Sequence, residues 1–468
     1  MSNIARAREV IERACADGVR EFCVCSGSRN APLLAVLAKS DVRTWTFVDE
    51  RSAAFFALGR MKQLRAPVAV VTTSGTAAAE LLPALVEAHY SGLPLVVITA
   101  DRPERFRGTG APQAIDQVHL FGVYGARHIN VEFDEPLIDE DFSAGVTPAA
   151  GERRAVQKLS PPAGTIPDRV GDARAPLLLL GGLAEEDRPH VRDFVLRSGA
   201  TVYAEPLSGL REELANVAIH HERTLKRGDF DLVVRIGNVP VLRYWRDLET
   251  KSTEVLHFTR LPFTGLTRGC TWPLEALPQI TGHRDDALYA FDREQSRRLE
   301  AILGEEPRSE LAMVRELSRT LPERSRIYLG NSLPIREWDL AATRQNRAFE
   351  YEANRGANGI DGQLSTFFGW CAPGANNIAI VGDLTALYDL NAPWIVPQLD
   401  AAFRIVIINN RGGRIFERVA ASDRRLVINE HDLRFDQWGG MFGIDVTELR
   451  PDGEASRRVW ARYDQLWA

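Results

Sequence analysis

Two hydrophobic rhythms alternate along the first 125 residues. "NIARAREVIERACA" (3–16) is amphipathic and predicts a helix, and "EFCVCSG" is a short apolar run that predicts a strand. Helix signal over "APLLAVLAKS" leads to a strand near "TWTFVDE", and "SAAFFALGRMKQL" reads as helix before the strand "PVAVVTTSG". "TAAAELLPALVEAHYSG" predicts one further helix, followed by the strand "PLVVITAD". Apolar strands that alternate with helices indicate a parallel sheet covered on both faces.

From residue 134 to about 175 this pattern fails, in a stretch rich in Pro, Gly, Ala and charge that reads as a linker. A second block follows, with strands at "LLLLGG", "TVYAEP", "DLVVRIGN" and "EVLHFTR" and helical signal in "DRPHVRDFVLRSG". Residues 285–321 are helical and charged, a connection to a third block with strands at "RIYLGNS", "IAIVGD" and "RIVIINN". The expected fold class is α/β, with three doubly wound domains built on mainly parallel sheets. Expected boundaries are 1–135, a linker over 136–175, 176–305 and 306–468. The chain shows no short-period repeat.

Composition narrows this picture. The 468 residues carry a net charge of −6, with scattered arginines, which argues against a nucleic-acid partner and favours small anions. Cys15, Cys23, Cys25, Cys270 and Cys371 complete no zinc pattern and read as reduced thiols. The N-terminus lacks the apolar core of a signal peptide, and no apolar run is long enough to span a bilayer, so the expected location is cytoplasmic.

Candidate chemistry lies at the strand ends. "CSGSRN", "VDER", "TTSGT", "TADRP", "GNSLPIR", "VGDLT" and "INNRGG" each close an apolar run with polar or glycine-rich residues. Ligands of open parallel sheets bind beyond these carboxyl ends. Asp383 closes one strand, a helix over "TALYDLNAPWIVPQL" is expected to cross over, and Asn410 closes the next, so the two ends can lie side by side. A carboxylate, an amide oxygen and a carbonyl are hard ligands suited to magnesium or calcium. Gly412-Gly413 would let the backbone approach a phosphate. A strand-end Asp followed by a turn-forming Asn-Asn fits the same residues without a metal.

"GDL … INN" resembles the fingerprint of thiamine-diphosphate-dependent enzymes, a Gly-Asp followed about two dozen residues later by Asn-Asn. "SGSRNAPL", "FVDERSAAFFALG", "VVTTSGTAAAELLPALVEA", "ITADRPE", "GAPQAIDQ", "GNSLPIR", "NRGANGIDGQLST", "VGDLTALYDLNA" and "NNRGGRIFE" together resemble one family within them. It is the 2-succinyl-5-enolpyruvyl-6-hydroxy-3-cyclohexene-1-carboxylate synthases of menaquinone biosynthesis. The resemblance implies thiamine diphosphate with Mg2+ or Mn2+, a pyrimidine-binding first domain and a diphosphate-binding third. The implied reaction is decarboxylation of 2-oxoglutarate and 1,4-addition of the succinyl carbanion to isochorismate. It further implies a homo-oligomer, dimer or tetramer, with each cofactor between the first domain of one subunit and the third of another.

By the same resemblance Glu50 is the catalytic, cofactor-binding glutamate, whose carboxyl group should have a raised pKa in a buried cleft. Asp383, Asn410 and the Gly412 carbonyl become the cation ligands. Ile360 is the apolar wedge between the cofactor rings, and Gly382, Leu384, Thr385, Gly413, Ile415 and Phe416 line the pocket. Ser28, Arg29, Arg102 and Gln113 fall on the isochorismate side. Ser332 and Arg336 hold the distal carboxylate of the succinyl unit, with Arg355 facing the same region and Arg268 a candidate from a poorly matched stretch. Arginine suits these dianions because its planar fork binds a carboxylate bidentately.

Two regions look short for the family: one after "LFGVYG", where a helix is expected, and one after "MFGIDVTEL", where another strand is expected. Two other readings are a different thiamine-diphosphate 2-oxoacid decarboxylase or carboligase, and a truncated non-catalytic homologue. A nicotinamide dehydrogenase is disfavoured, because no G-x-G-x-x-G follows a strand.

Overall fold

The computed structural model describes residues 1–125, 127–148, 166, 170, 173–418 and 423–468. Most of the expected linker lies outside the described residues. The strands form three five-stranded sheets. The first contains β1 (Glu21–Cys25), β2 (Arg43–Phe47), β3 (Ala69–Thr72), β4 (Val96–Asp101) and β5 (His128–Glu132), in the order β2-β1-β3-β4-β5. The middle sheet contains β6 (Pro176–Leu180), β7 (Thr201–Ala204), β8 (Leu232–Ile236), β9 (Glu254–Phe258) and β10 (Thr271–Trp272), in the order β10-β9-β8-β6-β7. The third contains β11 (Arg326–Leu329), β12 (Glu350–Glu352), β13 (Asn377–Gly382), β14 (Phe403–Ile408) and β15 (Val446–Leu449), in the order β12-β11-β13-β14-β15.

Every strand pair is parallel. Each sheet also repeats one strand order, with its first strand between its second and third. The winding reverses there, and a crevice opens beyond the strands' carboxyl ends. In the third sheet this crevice separates the ends of β11 and β13.

Helices α1 (Asn3–Ala16), α2 (Ala31–Leu37), α3 (Glu50–Leu64), α4 (Thr76–Ala79) and α5 (Leu82–Ser91) serve the first sheet, and α6 (Arg188–Ser198) and α7 (Tyr244–Asp247) the middle one. The charged connection is two helices, α8 (Asp286–Glu305) and α9 (Glu310–Thr320). Around the third sheet lie α10 (Leu333–Ala341), α11 (Gln363–Trp370), α12 (Asp383–Tyr388), α13 (Arg424–Ile428), α14 (Asp436–Phe442) and α15 (Gly453–Gln465).

Two helices expected to be continuous are broken. α4 and α5 replace one helix, because Pro83 has no amide hydrogen to bond the preceding turn. The crossover from β13 to β14 is the short α12 followed by a 3-10 segment, Ala392–Gln398, with Pro393 at its start and Pro397 within it. The last strand of the third sheet, β15, lies within "MFGIDVTEL", and no strand follows it among the described residues. β15 pairs with β14, and α15 packs Val459 and Tyr463 against α8 and α9. Between β4 and β5 the described residues hold only 3-10 turns, Glu104–Phe106 and Gly122–Tyr124.

Strand residues alternate between two cores. Cys23 and Cys25 of β1 join Ala379 and Val381 of β13 in one cluster, whereas Phe22 and Val24 face α1 and α2. The shared cluster joins the first and third sheets through α3 and α11. These helices touch at glycines: a Cβ on Gly59 would lie 1.9 Å from the Thr366 carbonyl oxygen, and one on Gly369 2.1 Å from that of Phe56. The middle sheet is fastened to the third by fully buried Arg211, which donates to the Asp339, Ala342 and Thr343 carbonyls at the C-terminus of α10, each at 3.0 Å.

Candidate active site

The site is assembled from strand ends. β13 and β14 run in register from Asn377↔Phe403 to Gly382↔Ile408, which sets Asp383 beside the Asn409-Asn410 turn. The Asp383 carboxylate accepts from the Leu384 amide at 2.7 Å and the Gly412 amide at 2.8 Å, and His431 Nε2 lies 3.4 Å away. Burial pushes the Asp383 carboxyl up, while those amides and His431 oppose the shift. Gly412 has φ +129°, and a Cβ there would lie 2.5 Å from the Ile428 carbonyl, so both conformation and space require glycine.

Asn410 is gripped at two points. Its carbonyl accepts from Arg414 Nε at 2.9 Å, and its Nδ2 donates to Glu310 at 2.9 Å. Its Oδ1 is buried with no hydrogen-bond partner among the described residues. No group of three or more His, Cys, Asp or Glu side chains that could hold a metal occurs among the described residues. A cation here would depend on Asp383 together with amide and carbonyl oxygens, and the unpartnered Asn410 Oδ1 fits that demand. Thr385 is buried, Gly382, Leu384, Ile360 and Ile415 are half-buried, Gly413 is buried, and Phe416 is 47 % exposed.

Glu50 opens α3, with Asp49 as N-cap; the Asp49 carboxylate accepts from the Ser52 amide at 2.9 Å. Burial raises the pKa of Glu50; its own backbone amide opposes the shift, and nearby Asp49 and Glu80 add to it. This is the direction expected from the sequence. The turn is tied to the segment that follows Asp383 and α12. Asn391 reaches Asp49 at 3.3 Å, Arg51 donates to the Tyr388 carbonyl at 2.9 Å, and Trp394 Nε1 donates to that of Thr46 at 3.1 Å.

The other candidates fall into two groups. Arg29, at the end of β1, is buried and bonds the Phe133 carbonyl at 3.0 Å and Glu135 at 3.2 Å, while Ser28 is exposed. Arg102 Nε bonds the Pro112 carbonyl at 2.8 Å, so its loop folds back beside Gln113, whose φ is +59°. At the end of β11, Ser332 has φ +73°, Arg336 donates to its carbonyl, and Arg355 donates to Asn331 Oδ1 at 2.8 Å. Non-glycine residues held at positive φ store strain of a kind that clusters at functional sites. Arg268 stands apart: its hydrogen bonds go to the Leu248, Lys251 and Thr253 carbonyls of the middle unit.

Three organising residues escaped the sequence reading. Asn331 Nδ2 donates to the carbonyls of Asn354 and Gly359, both at 2.7 Å, and so shapes the loop that carries Arg355 and Ile360. Buried Glu87 of α5 accepts from the amides of Gly356 and Ala357 at 2.7 and 2.6 Å, holding the same loop from the first unit. Glu310 is the third. Asn331 lies inside "GNSLPIR" and Glu87 inside "VVTTSGTAAAELLPALVEA", though neither is singled out there, whereas Glu310 lies in no matched segment.

Comparison with known proteins identifies the family. Residues 5–120 match the family model described as thiamine pyrophosphate enzyme, N-terminal TPP binding domain. A 2-succinyl-5-enolpyruvyl-6-hydroxy-3-cyclohexene-1-carboxylate synthase from Bdellovibrio bacteriovorus is 39% identical, with 100% of each chain covered. That alignment runs over 529 residues against the 468 of this chain, so it passes over positions that the chain lacks. Synthases of the same name from Akkermansia muciniphila (40% identical, 92% of this chain and 90% of the relative) and Roseiflexus sp. (30% identical, 98% and 92%) match as well. No helix among the described residues is long and apolar enough to cross a membrane. A relative 39% identical along the whole chain, beside the matched family model, establishes that the chain belongs to the 2-succinyl-5-enolpyruvyl-6-hydroxy-3-cyclohexene-1-carboxylate synthase family of thiamine-pyrophosphate enzymes.

Proposed function

We propose that the chain decarboxylates 2-oxoglutarate and adds the resulting succinyl unit to isochorismate in a 1,4 manner, as a cytoplasmic step of menaquinone biosynthesis. The observation that carries this reading is the contact of Asp383 with the Gly412 amide at 2.8 Å beside the unpartnered Asn410 Oδ1. Asp383, Asn410 and the Gly412 carbonyl would hold Mg2+ or Mn2+ against a diphosphate, and Leu384, Thr385, Ile415, Phe416 and Ile360 would flank the cofactor. Thiamine diphosphate, when bound, supplies the electron sink that decarboxylation needs.

The chain's own residues supply the rest. Glu50, whose carboxyl is pushed up by burial, would exchange a proton with a ring nitrogen of the cofactor. Ser332, Arg336 and Arg355 meet the distal carboxylate of the 2-oxo acid, and Ser28, Arg29, Arg102 and Gln113 meet isochorismate. In this reading residues 1–135, 176–305 and 306–468 are three domains, the first and third of which share the cofactor.

The same reading makes the protein a homodimer or a higher homo-oligomer. Val48, Tyr388, Leu390, Trp394 and Met441 expose between 41% and 80% of their surface around the Glu50 turn and the crossover segment. Trp438 Nε1 donates to the Leu390 carbonyl at 2.9 Å, which draws α14 and Met441 to that face. Such an apolar surface suits a second copy.

The experiment is a two-substrate assay with thiamine diphosphate and Mg2+, run beside pyruvate as competing 2-oxo acid. The expected outcome is carbon dioxide release from 2-oxoglutarate coupled to loss of isochorismate, abolished in Glu50→Gln. Pyruvate turnover above that of 2-oxoglutarate, or a Glu50→Gln enzyme of full rate, would refute the assignment.

A further inference from the structure

We propose that Glu310 is a positioning residue that fixes the Asn410 amide with its oxygen toward the cation site. The inference rests on the cation reading given above. Glu310 opens α9, is buried, and is anchored by its own amide, which donates to Ser456 Oγ of α15 at 3.0 Å. Its carboxylate accepts from Asn410 Nδ2 at 2.9 Å, across 100 positions of sequence.

An amide presents two ends of nearly equal size and opposite polarity. An amide nitrogen has no lone pair to offer a metal, so Asn410 can ligate through Oδ1 alone. Arg414 holds the Asn410 backbone carbonyl at 2.9 Å, which fixes the main chain but leaves the side-chain torsion free to reverse. Glu310 removes that freedom. The reversed amide would lose the Nδ2 donation to the Glu310 carboxyl oxygen and turn the NH2 group toward the cation. Fully buried Glu337 of α10 lies close to Glu310, so the Glu310 carboxyl has a second neighbour besides the amide it orients. Outer partners of this kind orient metal ligands, and their loss costs about ten-fold or more in metal affinity.

The test is Mn2+ binding to the full chain with thiamine diphosphate present and no substrate, read from the electron paramagnetic resonance signal of free Mn2+. Glu310→Ala should weaken binding about ten-fold or more. Glu310→Gln keeps an oxygen that accepts from Asn410, and its NH2 can donate to Glu337, so its affinity should stay near that of the unsubstituted protein. Glu310→Asp withdraws the acceptor by one methylene and should weaken binding as Glu310→Ala does. Should Glu310→Ala fail to fold, the Gln–Asp pair decides alone. Equal Mn2+ affinity in Gln and Asp variants, whether both tight or both weak, overturns the inference. Melting of the cofactor-free variants gives the readout for a merely structural role, which would lower stability without separating Gln from Asp in affinity. An unsubstituted protein that binds no Mn2+ under these conditions instead refutes the cation reading itself.

Discussion

Replacing Gly59 with Ala should destabilise the protein, although alanine is the better helix former. Gly59 lies within α3 and has no positive φ, so on local grounds alone the substitution should gain up to about 1 kcal/mol. The neighbouring helix decides otherwise. The new methyl would sit 1.9 Å from the Thr366 carbonyl oxygen, 2.7 Å from the Trp370 nitrogen and 2.8 Å from the Gly369 Cα, all backbone atoms of α11. No rotamer can move these aside. Ordinary contacts begin near 3.5 Å, so α3 and α11 would have to part by roughly 1.5 Å. A gap of 0.5–1 Å already forfeits about a quarter to a half of each contact, and α3 is buried from Ser52 to Gly59 against this core. Overpacking of this kind costs about 1–3 kcal/mol or more, which outweighs the propensity gain.

Gly304, near the end of α8, faces open space beyond its own helix where an added methyl group would sit, so Gly304→Ala should be neutral or stabilising by up to about 1 kcal/mol. The assay is calorimetric melting of both variants in one buffer without cofactor. Glu50 opens α3, so Gly59→Ala should also lose turnover, whereas Gly304→Ala should keep it. A Gly59→Ala protein that melts at or above the unsubstituted protein would refute the reasoning, because the clash would then be relieved without separating the helices.

Asp49→Asn keeps the N-cap of α3 but removes a charge that raises the Glu50 pKa, so the Glu50-dependent limb of the pH–rate profile should move to lower pH. An unmoved profile would deny the Asp49–Glu50 coupling. Fully buried Glu205 accepts from the Val241 amide at 2.7 Å, and burial raises its pKa to about 8. The native state then keeps a proton that the unfolded chain releases above about pH 4.3, so stability should fall as pH rises from there through 8. Glu205→Gln should flatten that fall in denaturant titrations at stepped pH, and a slope unchanged by the substitution would count against the shift.

The sequence was legible where strands are buried on both faces. β1, β3, β4, β6, β8, β9, β11, β13 and β14 all stand out as apolar runs. Of the six edge strands, β2 and β7 were read as well, as "TWTFVDE" and "TVYAEP", whereas β5, β10, β12 and β15 were not. β12 spans three residues and β10 two, and no residue of β15 is fully buried, so neither length nor apolar continuity marks them. Shortness and partial exposure, rather than edge position alone, remove the signal that a continuous run provides. The common strand order of the three sheets was hidden for a related reason: pairing order is a long-range property that no local periodicity encodes.

The site divides along the same line. Asp383, Asn410 and Gly412 could be read because one crossover brings two strand ends together, and their separation along the chain is itself a geometric statement. Glu310 and Glu87 could not. A glutamate in the first turn of a helix is explained by the helix dipole alone, and Glu310 occupies that position, so its residue type carries no further information until the fold sets it beside Asn410. Glu87 is likewise one charge on an amphipathic helix until the Gly356 and Ala357 amides arrive from the third unit. Residues that would touch ligand therefore sit where local topology is strong, and the residues that orient them are supplied by helices docked from elsewhere in the chain. This is why packing at Gly59 and Gly369 matters to chemistry: the crossing of α3 and α11 joins the first unit, which carries Glu50 and Glu87, to the third, which carries Asp383 and Asn410.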